Sequence, residues 1–181
     1  MLVAAAAISI VIAVFYLVFF VFFPIGRGAP FFPSLRSHVL RMAELADVSA
    51  GDRAADLGSG DGRLVIALAR RGAEAHGFEI NPLLVLLSRW NIRRSGCARR
   101  AHVHWKSFWN EDLSTFDAVT LFQGSVIMKR LEKKVRRELA TGARVVSDYW
   151  GFPTIKPVCV SGTIHVYRMG PGRRAGLPVM A

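Results

Sequence analysis

The sequence predicts an α/β fold: a mainly parallel sheet of seven strands with helices on both faces, preceded by one transmembrane helix. Three observations predict it. The first 24 residues carry no charged side chain. Behind them, short apolar strand patterns alternate with helical patterns, which is typical of a parallel sheet covered on both sides. The first strand pattern leads into a glycine-rich loop and a helix, and such sheets bind ligands at the carboxyl ends of their strands.

An uncharged apolar run of 22 residues, Leu2 to Phe23, lies at the start of the chain. As a helix it would extend ~33 Å, which matches the hydrocarbon core of a bilayer. A cleaved signal peptide has a basic start and a shorter apolar core, and this run has neither. We therefore expect residues 1–24 to be an anchor in contact with membrane lipid, followed by a Pro/Gly-rich linker over residues 25–33.

Charge predicts the orientation of that anchor and the kind of partner. Arginines follow the apolar run and none precedes it, so the positive-inside tendency places residues 34–181 of this single-pass protein in the cytoplasm. The formal net charge is +11. The basic stretches "SRWNIRRSGCARR" and "MKRLEKKVRREL" fit solvated helix faces or contact with anionic lipid headgroups. They accompany no recognition motif, so we expect no nucleic-acid partner.

The two cysteines, Cys97 and Cys159, lie far apart in the chain. Their spacing predicts neither a disulfide framework nor a zinc site, and we expect no bound metal.

The elements behind the linker follow in a regular order. Helical spacing is present over residues 34–48, 61–72, 81–96 and 126–139. Asn81 and Pro82 are a typical start of the third helix, and Gly72 a typical end of the second. Strand patterns occupy residues 53–58, 74–80, 101–107, 116–122 and 143–150, and an antiparallel pair over residues 156–162 and 163–169 ends the fold.

The stretch "AADLGSGDGRLV", residues 54–65, contains Gly58, Gly60 and Gly62 in a G-x-G-x-G pattern. Glycines allow positive φ and leave the backbone open to a ligand, and the next helix directs its N-terminus at the same place. Dinucleotides and S-adenosylmethionine both use such a loop. The third small residue of the dinucleotide fingerprint would fall at Arg63, which disfavours a dinucleotide.

Two carboxylates accompany the loop. Asp56 ends the first strand, where it would repel a pyrophosphate but attract the cationic amino group of a methionine moiety. Glu79 ends the second strand, where a carboxylate can accept hydrogen bonds from ribose hydroxyls of either ligand. Together they favour S-adenosylmethionine.

The stretches "DLGSGDGRLVIALARRG" and "GFEINPLLVLLSRWN" resemble class I S-adenosylmethionine-dependent methyltransferases, whose fold is Rossmann-like. Three more stretches, "PFFPS", "FWNEDLSTFDAVTLF" and "LEKKVRRELATGARVVS", resemble the protein-lysine methyltransferases of the ATP synthase c-subunit and the adenine nucleotide translocase, with their prokaryotic relatives. This resemblance covers residues 30–157. It implies a membrane-anchored protein-lysine N-methyltransferase that acts on a membrane or membrane-proximal protein with a target lysine.

The resemblance also implies roles for individual residues. Ser107 stands where family members usually have the acid that holds the adenine amino group, which implies a weaker adenine contact. The implied cofactor-binding residues are Asp56, Gly58, Ser59, Gly60, Gly62, Glu79, Ile80, Asn81 and Ser107. The implied substrate-facing residues are Phe31, Phe32, Pro33, Ser34, Phe122 and Gln123.

Methyl transfer from a sulfonium requires alignment more than acid–base groups, but a lysine must first lose its proton. The sequence shows no evident general base. Asp148 and Tyr149, after the fifth strand, are the candidate catalytic residues. Two alternatives stay open: a small-molecule or lipid methyltransferase, and a non-catalytic module that binds S-adenosylmethionine.

Overall fold

The computed structural model describes residues 6–12, 14–15 and 35–170 of a chain that divides into two compact units, Met1–Phe32 and Pro33–Ala181. In the first unit, the described residues are helical and exposed. Across the described ranges, no helix is both long and apolar enough to cross a membrane. Most of the predicted anchor, the whole linker and the predicted substrate residues Phe31 to Ser34 lie outside the described residues.

The second unit contains the predicted elements. Its helices are α1 (Arg36–Ala46), α2 (Arg63–Arg70), α3 (Pro82–Arg94) and α4 (Ser125–Glu138). Its strands are β1 (Arg53–Leu57), β2 (Glu74–Glu79), β3 (Ala101–Trp105), β4 (Ala118–Leu121), β5 (Arg144–Asp148), β6 (Cys159–Ser161) and β7 (Ile164–Arg168). Two short 3₁₀ helices, Phe108–Asn110 and Leu113–Thr115, lie between β3 and β4 and were not predicted.

The strands form one seven-stranded sheet in the order β3-β2-β1-β4-β5-β7-β6. All neighbouring pairs from β3 to β5 are parallel, and β7 runs antiparallel to β5 and β6. The predicted mainly parallel sheet is therefore confirmed. The chain reverses direction across the sheet between β1 and β4, which is where open α/β sheets bind ligands.

Helices cover both faces of the sheet, as predicted. Met42 of α1, Leu68 of α2 and Val85 of α3 belong to one buried cluster, which takes Ala54 from β1. Leu131 of α4 belongs to the other, which takes the next residue of β1, Ala55. Successive strand residues point to opposite faces, so a continuous apolar strand is required to supply both clusters.

The ends of the elements follow local chemistry. Asn81 Oδ1 accepts the backbone N–H groups of Leu83 and Leu84, at 3.0 and 3.4 Å, and so begins α3. β6 is shorter than the predicted residues 156–162. Pro157 has no N–H to donate to a sheet, which fits a strand that begins only at Cys159.

Candidate functional site

The glycine loop folds over the end of β2. The backbone N–H groups of Gly58 and Ser59 both donate to the carbonyl oxygen of Phe78, at 2.9 and 3.1 Å. Gly58, Gly60 and Gly62 have φ values of +85°, +54° and +80°, which confirms the predicted left-handed conformations. The loop therefore lies at the switch point between β1 and β4.

Close neighbours explain why two of these positions need glycine. A Cβ atom at Gly58 would meet Nε2 of Gln123, and one at Gly62 would meet Oγ of Ser88 on α3. The side-chain amide of Asn91, also on α3, donates to the carbonyl oxygen of Asp61 at 2.9 Å. Helix α3 thus braces the loop from one side.

Asp56 is the buried acid of the site, with 5% of its surface exposed. The Thr120 hydroxyl donates to Oδ1 of Asp56 at 2.9 Å. The pKa of Asp56 is raised to about 7, mainly because burial disfavours the charged form. The Thr120 bond opposes this rise in pKa, while the charges of Glu79 and Asp61 add to it. A cation beside Asp56 would stabilise its ionised form and so lower this raised pKa.

Backbone N–H groups in and next to the loop hold the Glu79 carboxylate in place. Its Oε2 accepts the N–H of Gly60 at 2.9 Å, and its Oε1 accepts the N–H groups of Ile80 and Asn81 at 2.8 Å each. A carboxylate offers about four acceptor positions, so these three bonds leave capacity for a ligand hydroxyl.

The end of β3 completes this edge. The backbone N–H of Lys106 donates to the carbonyl oxygen of Glu79, and Nε1 of Trp105 donates to that of Ile80, both at 3.0 Å. The Ser107 hydroxyl accepts the N–H of Trp109 at 3.4 Å, and begins the first 3₁₀ helix. Ser107 can still donate its proton to a ligand.

The residues predicted to face the substrate are placed differently from one another. Gln123 is buried, and its Nε2 donates to the carbonyl oxygen of Leu57 at 2.6 Å, beneath the glycine loop. The structure therefore gives it a bracing position, and its predicted contact with substrate stays untested. Phe122 is half-buried, and its ring centroid lies 6.0 Å from that of the exposed Tyr149.

The predicted catalytic candidates Asp148 and Tyr149 have distinct environments. Asp148 is 2% exposed: its Oδ2 lies 2.9 Å from Nδ1 of His38, and its Oδ1 accepts the Thr163 hydroxyl at 2.6 Å. Tyr149 has a φ of +68°, which strains a residue with a side chain. Sequence analysis missed His38, because it lies on α1 and is 110 positions from its partner.

The residues present fit S-adenosyl-L-methionine. The three glycines open the backbone, and the buried Asp56 lies where a cationic amino group would offset its burial. Ser59 belongs to the same loop but packs its hydroxyl over Gly77, and within the described residues that buried oxygen has no hydrogen-bond partner. Among residues 6–12, 14–15 and 35–170, no group of three or more His, Cys, Asp or Glu could hold a metal ion.

Comparison with known proteins agrees with this site. A family model described as the ANTKMT methyltransferase domain matches residues 56–159. The adenine nucleotide translocase lysine N-methyltransferase of Mus musculus is 41% identical in an alignment of 135 residues that covers 70% of this chain and 59% of that protein. The ATP synthase c-subunit lysine N-methyltransferase of Homo sapiens is 36% identical over 133 residues, 74% of this chain and 57% of that protein.

The chain covers a larger share of a prokaryotic relative. The protein-lysine N-methyltransferase of Saccharolobus islandicus (strain REY15A) is 37% identical over 120 residues, 65% of this chain and 74% of that protein. The chain thus spans well under two thirds of the mouse and human relatives it matches.

Among solved structures, an RNA methyltransferase from Salinibacter ruber in complex with S-adenosyl-L-homocysteine superposes with a TM-score of 0.72. It is 32% identical and covers 82% of this chain and 98% of its own. These comparisons confirm the predicted Rossmann-like methyltransferase fold and the predicted cofactor. The chain belongs to the ANTKMT methyltransferase family.

Proposed function

We propose that the chain is an S-adenosyl-L-methionine-dependent protein-lysine N-methyltransferase that acts on a membrane or membrane-proximal protein. The observation that carries the proposal is the buried Asp56 beside the glycine loop, with Glu79 at the next strand end. The names of the mouse, human and prokaryotic relatives support lysine as the acceptor.

The cofactor brings a methyl group already activated on a sulfonium, so that the protein has mainly to bind and align. Asp56 would pair with the cationic amino group of the methionine moiety. Glu79 would accept a ribose hydroxyl, with Ile80 and Asn81 holding the carboxylate in place. The Ser107 hydroxyl would hydrogen-bond the adenine. This division puts the charged end of the cofactor at the switch point and the adenine at the end of β3.

The target lysine is a cation in water, with an ordinary pKa of ~10.4, and must become neutral before it attacks. The contact between Nδ1 of His38 and Asp148 fits an N–H group that donates to the carboxylate, and Nε2 of His38 would then be the basic nitrogen. His38 is half-exposed at the start of α1, four residues after Ser34. We infer that His38 accepts the lysine proton and that Asp148 orients the imidazole. Phe122 and Tyr149 would form an aromatic wall that favours the neutral amine.

Membrane anchoring is part of the proposal. The uncharged run of Leu2 to Phe23 supports an anchor at residues 1–24, and the arginines behind it support a cytoplasmic position for the catalytic unit.

Two observations favour a second candidate function, RNA methylation. The Salinibacter ruber protein is described as an RNA methyltransferase, and the net charge of +11 suits a polyanion. Against it, the segment from the last residue of β4 to the first of α4 reads "LFQGS" and lacks the Asp/Asn-Pro-Pro-Tyr/Phe motif that binds a planar amino group.

The experiment incubates the purified full chain and methyl-labelled S-adenosyl-L-methionine with membranes and with total RNA from the same host. Label is then assigned to protein, lipid or RNA, and labelled peptides are mapped by mass spectrometry. We expect methyl-lysine on a small membrane protein, and none with an Asp56→Ala variant. Label in lipid or RNA would replace the proposed substrate class, and cofactor binding without transfer would indicate a binding module.

A further inference from the structure

The outer surface of α3 is apolar, although it faces solvent. Leu83, Leu86, Leu87 and Trp90 are 51%, 61%, 42% and 53% exposed. Their spacing of three, four and seven positions places them on one side of the helix, and we call them the α3 stripe. Single exposed apolar residues are ordinary, but a contiguous row of four indicates an interaction surface. The inner side of α3 is also apolar and carries the buried residues Leu84, Val85 and Ile92.

A basic groove lies beside this stripe. It has a volume of about 680 Å³ between α1, α2 and the C-terminal part of α3. Five arginines line it: Arg63, and four that we call the basic groove residues, Arg36, Arg70, Arg71 and Arg94.

Charges in the groove are largely unbalanced. Asp61 also lines it, but Arg63 holds that carboxylate with its Nε at 2.9 Å. Within residues 35–170, Arg36, Arg70 and Arg71 have no carboxylate partner. The Arg94 guanidinium lies 4.5 Å from the ring centroid of Trp90 and so joins the groove to the α3 stripe.

We propose that the α3 stripe and the basic groove together form a docking surface for a bilayer that contains anionic lipids. The surface contains none of the predicted cofactor-binding residues, and it does not depend on residues 1–24 spanning the membrane. Only its consequence for substrate choice rests on the proposed function.

The chemistry of the surface favours a lipid surface over two other occupants. Leucine and tryptophan enter the boundary between headgroups and acyl chains, and arginine forks bind the phosphates above it. A nucleic acid would use the arginines but would leave the leucines in water. A second copy of the chain in a symmetric dimer would bring two sets of groove arginines together, which like charges oppose.

Docking of this kind would bring the cofactor edge to the membrane. α3 begins at that edge, where Asn81 caps it two residues after Glu79. With the α3 stripe in the headgroup layer, the ends of β2 and β3 lie close to the lipid surface. The proposed lysine substrate is then one that lies at the membrane surface, rather than one in a soluble protein.

Hydrogen exchange tests the surface on the full chain. The protein is reconstituted with vesicles of neutral phosphatidylcholine, or with vesicles that carry one third phosphatidylglycerol. We expect slower exchange of residues 82–94 on anionic vesicles than on neutral ones. Residues 125–138, which belong to α4 on the opposite face of the sheet, serve as the internal control and should exchange equally on both.

Two matched pairs of variants sharpen the test. In the reconstituted chain, Arg70→Gln with Arg71→Gln should reduce the extra protection of residues 82–94 on anionic vesicles by up to roughly thirtyfold, since each arginine near an anionic surface contributes a factor of about five to docking. Lys129→Gln with Lys133→Gln removes the same charge from α4, where both lysines are exposed, and should have a much smaller effect. Brominated lipids should quench the fluorescence of the full chain, and Trp90→Phe should remove a larger share of that quenching than Trp109→Phe.

Three results would overturn the proposal. One is equal exchange of residues 82–94 on both vesicle types. Another is an equal loss of the extra protection of residues 82–94 in the two double variants. The third is protection of residues 82–94 by a homopolymeric RNA or by self-association in the absence of lipid. Because none of these readouts involves methyl transfer, failure of the proposed function would leave them unaffected.

Discussion

The ends of β1 and β2 differ from the ends of β4 and β5 in how the chain builds them. At β1 and β2, the functional groups lie within residues 56–81, and backbone N–H groups hold Glu79 in place. At β5, the site is assembled from distant parts of the chain: His38 comes from α1, and Thr163 comes from the turn before β7. We call the ends of β1 and β2 the cofactor half, which suits a ligand that stays constant. We call the ends of β4 and β5 the substrate half, which can change with the substrate.

The largest effect should come from the substrate half. His38→Gln is expected to lower kcat by about 10²-fold near neutral pH, the usual contribution of a positioned proton acceptor. The deficit should shrink as pH rises, because a larger share of lysine is then neutral without help. The assay is methyl transfer across pH, with the cofactor Kd measured in parallel.

His102→Gln is the matched control, since His102 is half-exposed on β3 at the far edge of the sheet. A deficit that is the same at every pH, or one that appears equally in the control, would mean that His38 has only a structural role.

The cofactor half should be the less tolerant of added side chains. Gly62→Ala combines a φ of +80° with a Cβ that meets Ser88, and should lower the free energy of unfolding by about 2–4 kcal/mol. Gly124→Ala, at a position with open space around its Cβ, should change it by less than about 0.5 kcal/mol. Urea unfolding of both variants checks the contrast, and equal losses would contradict it.

Cofactor affinity should depend on pH through Asp56. With a pKa of about 7, the carboxyl group is mostly protonated at pH 6 and mostly ionised at pH 7.5. Because the ionised form attracts the cationic amino group, the Kd for S-adenosyl-L-methionine should fall by up to about tenfold over that interval. Titration calorimetry of the wild type and of Asp56→Asn measures it, and the variant should show a flat profile.

The raised pKa of Asp56 also makes the free energy of unfolding depend on pH. The unfolded Asp56 ionises near its ordinary pKa of 3.8 and the folded one near 7. The folded state therefore binds more protons between these values, and the contribution of Asp56 to stability falls as pH rises through that range. A contribution that rises with pH there, by comparison with Asp56→Asn, would refute the assigned direction.

The smallest effect concerns strain at Tyr149. Tyr149→Gly should be more stable than Tyr149→Ala by about 1 kcal/mol, because only glycine adopts the φ of +68° without steric cost. Thermal unfolding of the two variants gives the difference directly. If Tyr149→Ala proved the more stable variant, the left-handed backbone conformation assigned to Tyr149 would be wrong.

Sequence analysis predicted the cofactor half well because its signals are local. The glycines, Asp56, Glu79 and the cap Asn81 all lie in one strand–loop–helix–strand stretch. The two 3₁₀ helices were missed because three residues give no periodicity, although the side-chain caps Ser107 and Asp112 precede them.

The substrate half could not be predicted in the same way. Nothing near Asp148 in the chain indicates that its carboxylate contacts His38, since that contact depends on how α1 packs against β5. Gln123 likewise is adjacent to Phe122 in sequence, yet lies buried beneath Gly58 because the end of β4 passes under the glycine loop.

The most direct test of this division is calorimetric binding of S-adenosyl-L-methionine to two matched variants, Asp56→Asn and Asp148→Asn. Each replaces a buried strand-end acid by its isosteric amide. We predict that Asp56→Asn raises the Kd by about 10- to 100-fold, as expected for loss of a charged partner, while Asp148→Asn stays within about twofold of the wild type. An unchanged Kd for Asp56→Asn, or equal losses in both variants, would contradict the separation of the cofactor half from the substrate half.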